Sequence, residues 1–203
     1  MNFENKLISG VFIKRYKRFL VDVQVENKVF TAHCPNTGSM QGLLKEGNKV
    51  WLSKSNNPNR KLKYTLQIIE DNYSKVGINT HLTNKIVLNA LENNLIKEFD
   101  KDIKINQEGK FGDNTRFDFL ITKKDFKAFL EVKNITLLRK TKTAEFPDAV
   151  TSRGAKHIKE LIKASKKGYE VYIAFIIQRE DCNQFTIAND IDPEYSRLLS
   201  KAI

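Results

Sequence analysis

The tightest constraint on this chain is a pair of short apolar segments that each carry charge where a core is expected. These are Arg116-Phe117-Asp118-Phe119-Leu120 and Phe129-Leu130-Glu131-Val132-Lys133. Both have the period-two pattern of a strand, so Glu131 and Lys133 project to one face while Leu130 and Val132 project to the other. The polar link from Lys123 to Phe126 has the length of a hairpin connection, which predicts a hairpin from Thr115 to Asn134. If Thr122 pairs with Lys127, Asp118 falls opposite Glu131 and Arg116 opposite Lys133, with Cβ atoms about 5 Å apart. A slip of one residue would send the two carboxylates to opposite faces. Carboxylates that close repel unless a proton or a cation sits between them, and hard oxygen ligands suit Mg²⁺ or Mn²⁺. In that arrangement Asp118 and Glu131 hold the metal, and Lys133 holds a water or a developing anion on a phosphodiester. An ordinary strand salt bridge, Glu131 to Lys133 or Asp118 to Arg116, has the same spacing.

The hairpin is embedded in a helix-and-strand pattern that begins at residue 84. Asn84 is placed to cap a helix over Lys85 to Lys97, with Val87, Leu88, Leu91 and Leu95 on one side. A strand over Ile103 to Glu108 precedes the hairpin. A helix over Ser152 to Lys167, a buried strand over Tyr169 to Gln178 and a helix from Pro193 follow it. The pattern predicts an α/β (α+β) domain over residues 84–203, a central sheet with helices on both sides. On the helix from Ser152, Arg153, Lys156, His157 and Glu160 share one face, and Ile158, Leu161 and Ile162 share another. Arg116, Arg153, Lys156 and His157 are therefore candidate phosphate contacts, although a lone helical His is as readily a packing residue.

Residues 1–83 read as closely spaced strands. Phe19 to Glu26 alternates valines with polar residues, Asn27-Lys28 can turn it into Val29 to Cys34, and Asn48 to Ser53 and Lys61 to Glu70 follow. Several short strands of this kind predict a small OB-like β-barrel. Lys14-Arg15-Tyr16-Lys17-Arg18-Phe19 and Asn59-Arg60-Lys61-Leu62-Lys63-Tyr64 interleave cations with aromatics, the mixture that tracks a phosphate backbone while stacking bases. Arg15, Tyr16, Lys17, Arg18, Arg60 and Lys61 are the candidate contacts; the competing reading makes the aromatics core and the lysines solvated. The run His33-Cys34-Pro35-Asn36-Thr37-Gly38-Ser39-Met40 reads as a tight turn.

A net charge of +11 points to a polyanionic partner, with nucleic acid the commonest soluble one. Because 27 of the 35 basic residues are Lys, in a chain also rich in Asn and Ile, an AT-rich genome would raise the charge without selection for binding. Apolar stretches are too short to span a bilayer, and Cys34 and Cys182 form no metal or disulfide spacing. A cytoplasmic protein without a membrane partner is expected.

Arg15-Tyr16-Lys17-Arg18-Phe19-Leu20, His33 to Met40, Phe117-Asp118-Phe119-Leu120, Glu131-Val132-Lys133-Asn134 and Phe146-Pro147-Asp148-Ala149-Val150-Thr151 together resemble the sugar fermentation stimulation protein A family over nearly the whole chain. The resemblance implies an OB-like N-terminal domain followed by a PD-(D/E)xK restriction-endonuclease-like domain. It also implies DNA binding and a regulatory link to sugar, notably maltose, metabolism. Carried over by motif, Asp118, Glu131 and Lys133 take the nuclease-like catalytic positions, and Glu108 matches a further acidic, metal-binding position. Asn89 stands where the family usually has Glu, and family members tend to continue past the last helix into another strand. The resulting expectation is a DNA-binding, divalent-metal-dependent nuclease. A non-catalytic DNA-binding regulator and an RNA-binding or RNA-processing factor are the alternatives, and a homodimer is compatible with either.

Overall fold

A computed structural model describes residue 3 and residues 5–99 and 101–203. The chain forms two compact units. The first comprises residues 1–82, 134–148 and 177–186; the second comprises residues 83–133, 149–176 and 187–203. Where the sequence pattern placed one boundary at residue 84, two segments from the second half thus return to the first unit.

In the first unit, β1 (Ile8–Tyr16), β2 (Leu20–Val25), β3 (Lys28–His33), β4 (Lys49–Lys54), β5 (Tyr64–Asp71) and β6 (Ser74–Gly77) lie in the order β3-β2-β1-β4-β5-β6, and a β3–β5 pairing closes β1–β5 into a barrel. The valine alternation read from sequence is what fills it. Val21 and Val23 are fully buried with Phe12, Ala32, Val50, Leu52, Leu66 and Ile69. Lys17 and Arg18, with φ of 49° and 62°, turn β1 into β2, a left-handed pair suited to a tight hairpin.

Arg179, returned to this unit by the chain, has a side chain 1% exposed. It donates to Asp71 Oδ2 (3.0 Å), to both oxygens of Asp181 (2.9 and 2.8 Å) and to the Thr136 carbonyl (2.9 Å). A guanidinium suits this role because its planar fork presents several donors at once.

In the second unit a four-stranded sheet has the order β12-β9-β8-β7, where β7 is Lys104–Phe111, β8 Thr115–Lys123, β9 Phe126–Ile135 and β12 Glu170–Ile177. Val87 and Leu91 of α1 (Thr80–Glu92) pack with Phe119, Ile121, Ala128 and Leu130. Leu161 and Ala164 of α2 (Ser152–Lys166) pack with Phe111, Phe117 and Phe129. The last helix is α3 (Pro193–Ala202).

Besides β1 and β6, which lie outside the strands read from sequence, three elements differ from the sequence expectation. First, α1 starts four residues before Asn84, because Asn79 Oδ1 accepts the His81 N–H (3.1 Å) and so acts as the cap. It also ends before Leu95. Asn94 takes φ 54°, its N–H bonds the Leu91 carbonyl, and the Leu95 N–H bonds the Ala90 carbonyl. That is a Schellman ending, and it leaves Leu95 70% exposed. Second, β10 (Leu137–Lys140), β11 (Thr143–Phe146) and β13 (Gln184–Ile187) form an additional sheet, β10-β11-β13. Four-residue strands are too short for period-two counting to register. Third, the register of the central hairpin is the expected one, Thr122↔Lys127 through Phe119↔Leu130, but the ladder ends there.

Arg179→Met is expected to lower the unfolding free energy by about 3–5 kcal/mol, since it strands Asp71 and Asp181 without their shared cation. Urea titration checks this. An unchanged midpoint would show that Lys45, 3.6 Å from Asp71, suffices alone.

Candidate functional site

The site is built where the β7–β8–β9 ladder departs from regular pairing. In an undisturbed strand the odd residues of β8 would share one face. Here Phe119 and Ile121 pack with α1 while Phe117 packs under α2, and in β7 Ile105 and Phe111 divide the same way. The exchange of faces falls at Asp118 in β8 and at Glu108 in β7, where the regular partners Gln107↔Phe119 and Gly109↔Phe117 flank an unpaired step. Glu108 has φ 54°, a left-handed conformation that costs a non-glycine residue about 1–2 kcal/mol. The next residue must be glycine, because a Cβ on Gly109 would stand 2.7 Å from Leu120 Cβ.

Past Leu130, the strand β9 no longer pairs with β8 through its backbone, and the Asp118 carboxylate takes over. Its Oδ2 accepts the Val132 N–H (2.7 Å), and its Oδ1 accepts from Asn84 Nδ2 of α1 (2.7 Å). Asp118 and Glu131 therefore meet at an opened ladder rather than as a directly paired couple. Arg116 pairs with Lys110 on the β7 side, and on the β9 side the ladder ends before the Arg116↔Lys133 pairing that an extended register would give.

Glu131 is 3% exposed. Its Oε1 accepts from Lys133 Nζ (2.5 Å) and lies 2.5 Å from His157 Nδ1 of α2. An ionised carboxylate only accepts, so Nδ1 carries the proton. Its Oε2 is buried without a hydrogen-bond partner. A buried, unmatched carboxylate oxygen is costly unless something binds it, and it is the kind of donor that a hard cation takes. Among the described residues, no group of three or more His, Cys, Asp and Glu is already gathered as a cation cage.

His157 is positioned by the start of α2. Thr151 caps that helix by accepting the Gly154 N–H (3.0 Å), and its own N–H bonds Asp192 Oδ2 (2.8 Å). The other oxygen of Asp192 accepts the Tyr195 N–H at the start of α3 (2.9 Å). One carboxylate thus fixes the first turns of both helices, and the His157 ring rests edge-on to Phe117 at 6.1 Å. Sequence periodicity placed His157 on a basic face. Nothing in the sequence shows that Glu131 comes to meet it, nor that Asn84 serves Asp118.

A cleft of about 320 Å³ opens on Asp118 and His157, and Glu108, Arg116, Arg153 and Lys156 line it as well. Glu108, Arg116, Arg153 and Lys156 are exposed, so three cations and an acid rim a cleft that reaches half-buried Asp118 and buried His157.

The barrel candidates fare differently. Arg15 directs its guanidinium at the carbonyls of Asn36 (2.9 Å), Gly38 (2.8 Å) and Arg18 (2.7 Å). The Tyr16 hydroxyl bonds Asp22 (3.0 Å), and Arg60 bonds Thr65 Oγ1 (2.8 Å). Lys17, Arg18 and Lys61 are exposed. Asp148 accepts from Ser39 Oγ (3.1 Å) and from the Met40 N–H (2.9 Å). Gly38 permits this approach, since a Cβ there would stand 2.9 Å from Asp148 Oδ2. Three of the sequence motifs, around Arg15, His33–Met40 and Asp148, therefore form one hydrogen-bonded cluster in the first unit.

Two family models match the chain, the SfsA N-terminal OB domain over residues 13–78 and the sugar fermentation stimulation protein RE domain over residues 81–203. The chain belongs to the sugar fermentation stimulation protein family. It is 56% identical over 195 residues to a sugar fermentation stimulation protein homolog of Pelagibacter ubique, covering 96% of this chain and 84% of that relative. It is 45% identical over 205 residues to one of Bartonella henselae, covering 100% and 87%. The solved structure of Pyrococcus furiosus SfsA in complex with Ca²⁺ superposes with a TM-score of 0.91 at 28% identity, over 100% of this chain and 85% of that one. The OB domain and the α+β architecture expected from sequence are thereby established for the chain. Among the described residues no helix is long and apolar enough to cross a membrane.

The electrostatics separate the two central carboxylates. Burial, and then the Glu131 charge, raise the Asp118 carboxyl above its ordinary range despite the Val132 N–H, Asn84 and Lys133, which pull it down. Burial acts on Glu131 in the same sense, but the His157 hydrogen bond and Lys133 outweigh it and hold that carboxyl low. Ionised Asp118 costs the folded state, so its contribution improves as pH falls through the raised value. The Glu131 contribution is present above its ordinary value and is lost as pH falls through its depressed one.

Asp118→Asn, with the Asn84 amide turned to present its oxygen, is therefore expected to melt above the parent in EDTA at about pH 8 and to converge with it toward about pH 4. Scanning calorimetry across that range checks this; a constant offset would remove the ionisation argument. Glu108→Gly is expected to stabilise the EDTA-treated protein by about 1 kcal/mol by relieving the left-handed backbone. A loss of stability in urea titration would show that the Glu108 side chain is held by contacts worth more than the strain.

Proposed function

We propose that the protein is a divalent-metal-dependent nuclease whose active centre is the opened β8–β9 ladder. The carrying observation is Glu131: buried, ionised by Lys133 and His157 on one oxygen, left with an unmatched second oxygen, and close enough to Asp118 for its charge to raise that carboxyl. A purely structural ion pair has no use for that orphan oxygen, and close carboxylates facing a polyanion would repel it. Asp118 and Glu131, with Glu108 on the neighbouring strand, are the residues that would hold the cation, with Mg²⁺ or Mn²⁺ as the working metal. When bound, the metal supplies Lewis-acid neutralisation of charge at phosphorus. The Ca²⁺ complex of the Pyrococcus furiosus relative supports a divalent site in the family.

The chain's own groups do the rest. Arg116, Arg153 and Lys156 on the rim bind the nonbridging oxygens of a phosphodiester, and the two arginines suit forked contacts. Lys133, fixed by Glu131, directs its remaining ammonium protons at an attacking water or at the negative charge that develops on phosphorus. His157 holds the Glu131 carboxylate in one orientation, so the acid does not rearrange as charge develops. The basic, OB-type first unit favours DNA, or RNA, as the polymer that is cut.

Purified protein incubated with labelled single- and double-stranded DNA and RNA is expected to cut at least one of them with Mg²⁺ or Mn²⁺ and none in EDTA. Asp118→Ala and Lys133→Ala are each expected to reduce cleavage by about 100-fold or more. Salt-sensitive binding without cleavage under any metal would instead make the protein a DNA-binding regulator or an RNA-binding factor.

A further inference from the structure

A larger groove of about 660 Å³ continues from the cleft along α2. It is lined on one side by the turn Gly112-Asp113-Asn114-Thr115 between β7 and β8, and on the other by Lys156, Glu160, Lys163, Lys166 and Lys167. Asn114, Thr115 and Lys156 line both cavities, and Lys156 Nζ lies 3.4 Å from the Asn114 carbonyl at their junction. Lys163 lies seven residues, about two turns, after Lys156, and Lys166 and Lys167 follow it at three and four residues, so the lysines keep to one side of the helix. Four ammonium groups face two carboxylates, Asp113 and Glu160, and Glu160 is already bound to Lys163 at 2.7 Å. Phe111 forms an apolar floor, with Lys167 Nζ 5.2 Å from its ring.

We propose that this groove is a backbone track: it binds the phosphodiesters that flank the one held at Asp118 and Glu131, so the protein grips a polynucleotide segment rather than a single nucleotide. The inference rests on the reading of the site as one that acts on phosphodiesters. Arg153 to Lys167 spans about 21 Å of helix at 1.5 Å per residue. At about 3.4 Å of axis per phosphate, that length covers about six phosphates of one duplex strand. The division of labour is electrostatic. The acidic centre repels phosphate until a cation fills it, whereas the lysine side is attractive throughout, so the track can dock the strand before the metal site is loaded.

The test is fluorescence anisotropy with a labelled 20-mer, as duplex DNA, single-stranded DNA and RNA in separate arms, in EDTA so that cleavage does not intervene. The triple variant Lys163→Ala, Lys166→Ala, Lys167→Ala is compared with Lys97→Ala, Lys104→Ala, Lys127→Ala, which removes the same charge from exposed positions outside both cavities. Melting curves confirm that both fold. The groove variant is expected to bind about tenfold or more weaker, with the slope of log affinity against log salt flatter by about two to three units. Equal losses in the two variants would overturn the track and reduce the lysines to bulk charge. Cleavage by the parent with an unchanged KM in the groove variant would overturn the track while leaving the nuclease reading intact. Groove-dependent binding with no cleavage under any metal would keep the track and remove the nuclease. No binding by the parent to any of the three polymers would remove both.

Discussion

The hydrogen bond from the Val132 N–H to the Asp118 carboxylate is the interaction on which the site depends. A strand that leaves its ladder exposes backbone donors inside the protein, and each must find an acceptor. Here a side chain supplies it, which lets β8 and β9 part without an unsatisfied amide and brings a second carboxylate to Glu131. The same position carries the exchange of faces that puts Phe117 under α2 and Phe119 under α1. Strain at Glu108 and the close approach at Gly109 accompany that exchange on the neighbouring strand. Backbone strain, a split ladder and buried charge at one place are costly together, and such costs gather where a protein binds or reacts.

What surrounds the split is rigid for identifiable reasons. Asp192 fixes the first turns of α2 and α3 together, so His157 has little freedom to leave Glu131. Asn84 ties α1 to Asp118. In the first unit, Arg179 and Asp148 play comparable roles, each drawing distant chain segments together through buried or half-buried polar contacts. Such groups are valuable because their partners are few and directional, whereas apolar packing alone tolerates slippage.

Much of the architecture was legible from pattern. Valine alternation predicted the β2–β3 hairpin, and the short polar link at Lys123 to Phe126 fixed the register of β8 with β9, which the ladder carries as far as Phe119↔Leu130. The end of α1 was misread because apolar spacing continued to Leu95, while the left-handed Asn94 stopped the helix. The sheet of β10, β11 and β13 was missed because four-residue strands carry no period of their own.

Of the site, the sequence by itself determined which groups were available: Asp118, Glu131 and Lys133 at strand spacing, and Arg153, Lys156 and His157 on one helical face. Those are local facts, since side-chain direction along one element follows from its period. Only the tertiary structure decided who met whom. It sent His157 and Lys133 to the same oxygen of Glu131, Asn84 and Val132 to the two oxygens of Asp118, and the carbonyls of the turn at Asn36 to Arg15, a residue that the interleaving of cations and aromatics had assigned to phosphate. The physical reason is that charge and hydrogen-bonding capacity belong to a residue, but their satisfaction belongs to neighbours that arrive from other elements. Where a ladder opens and which donor or acceptor fills the gap are properties of packing that no single stretch of sequence contains.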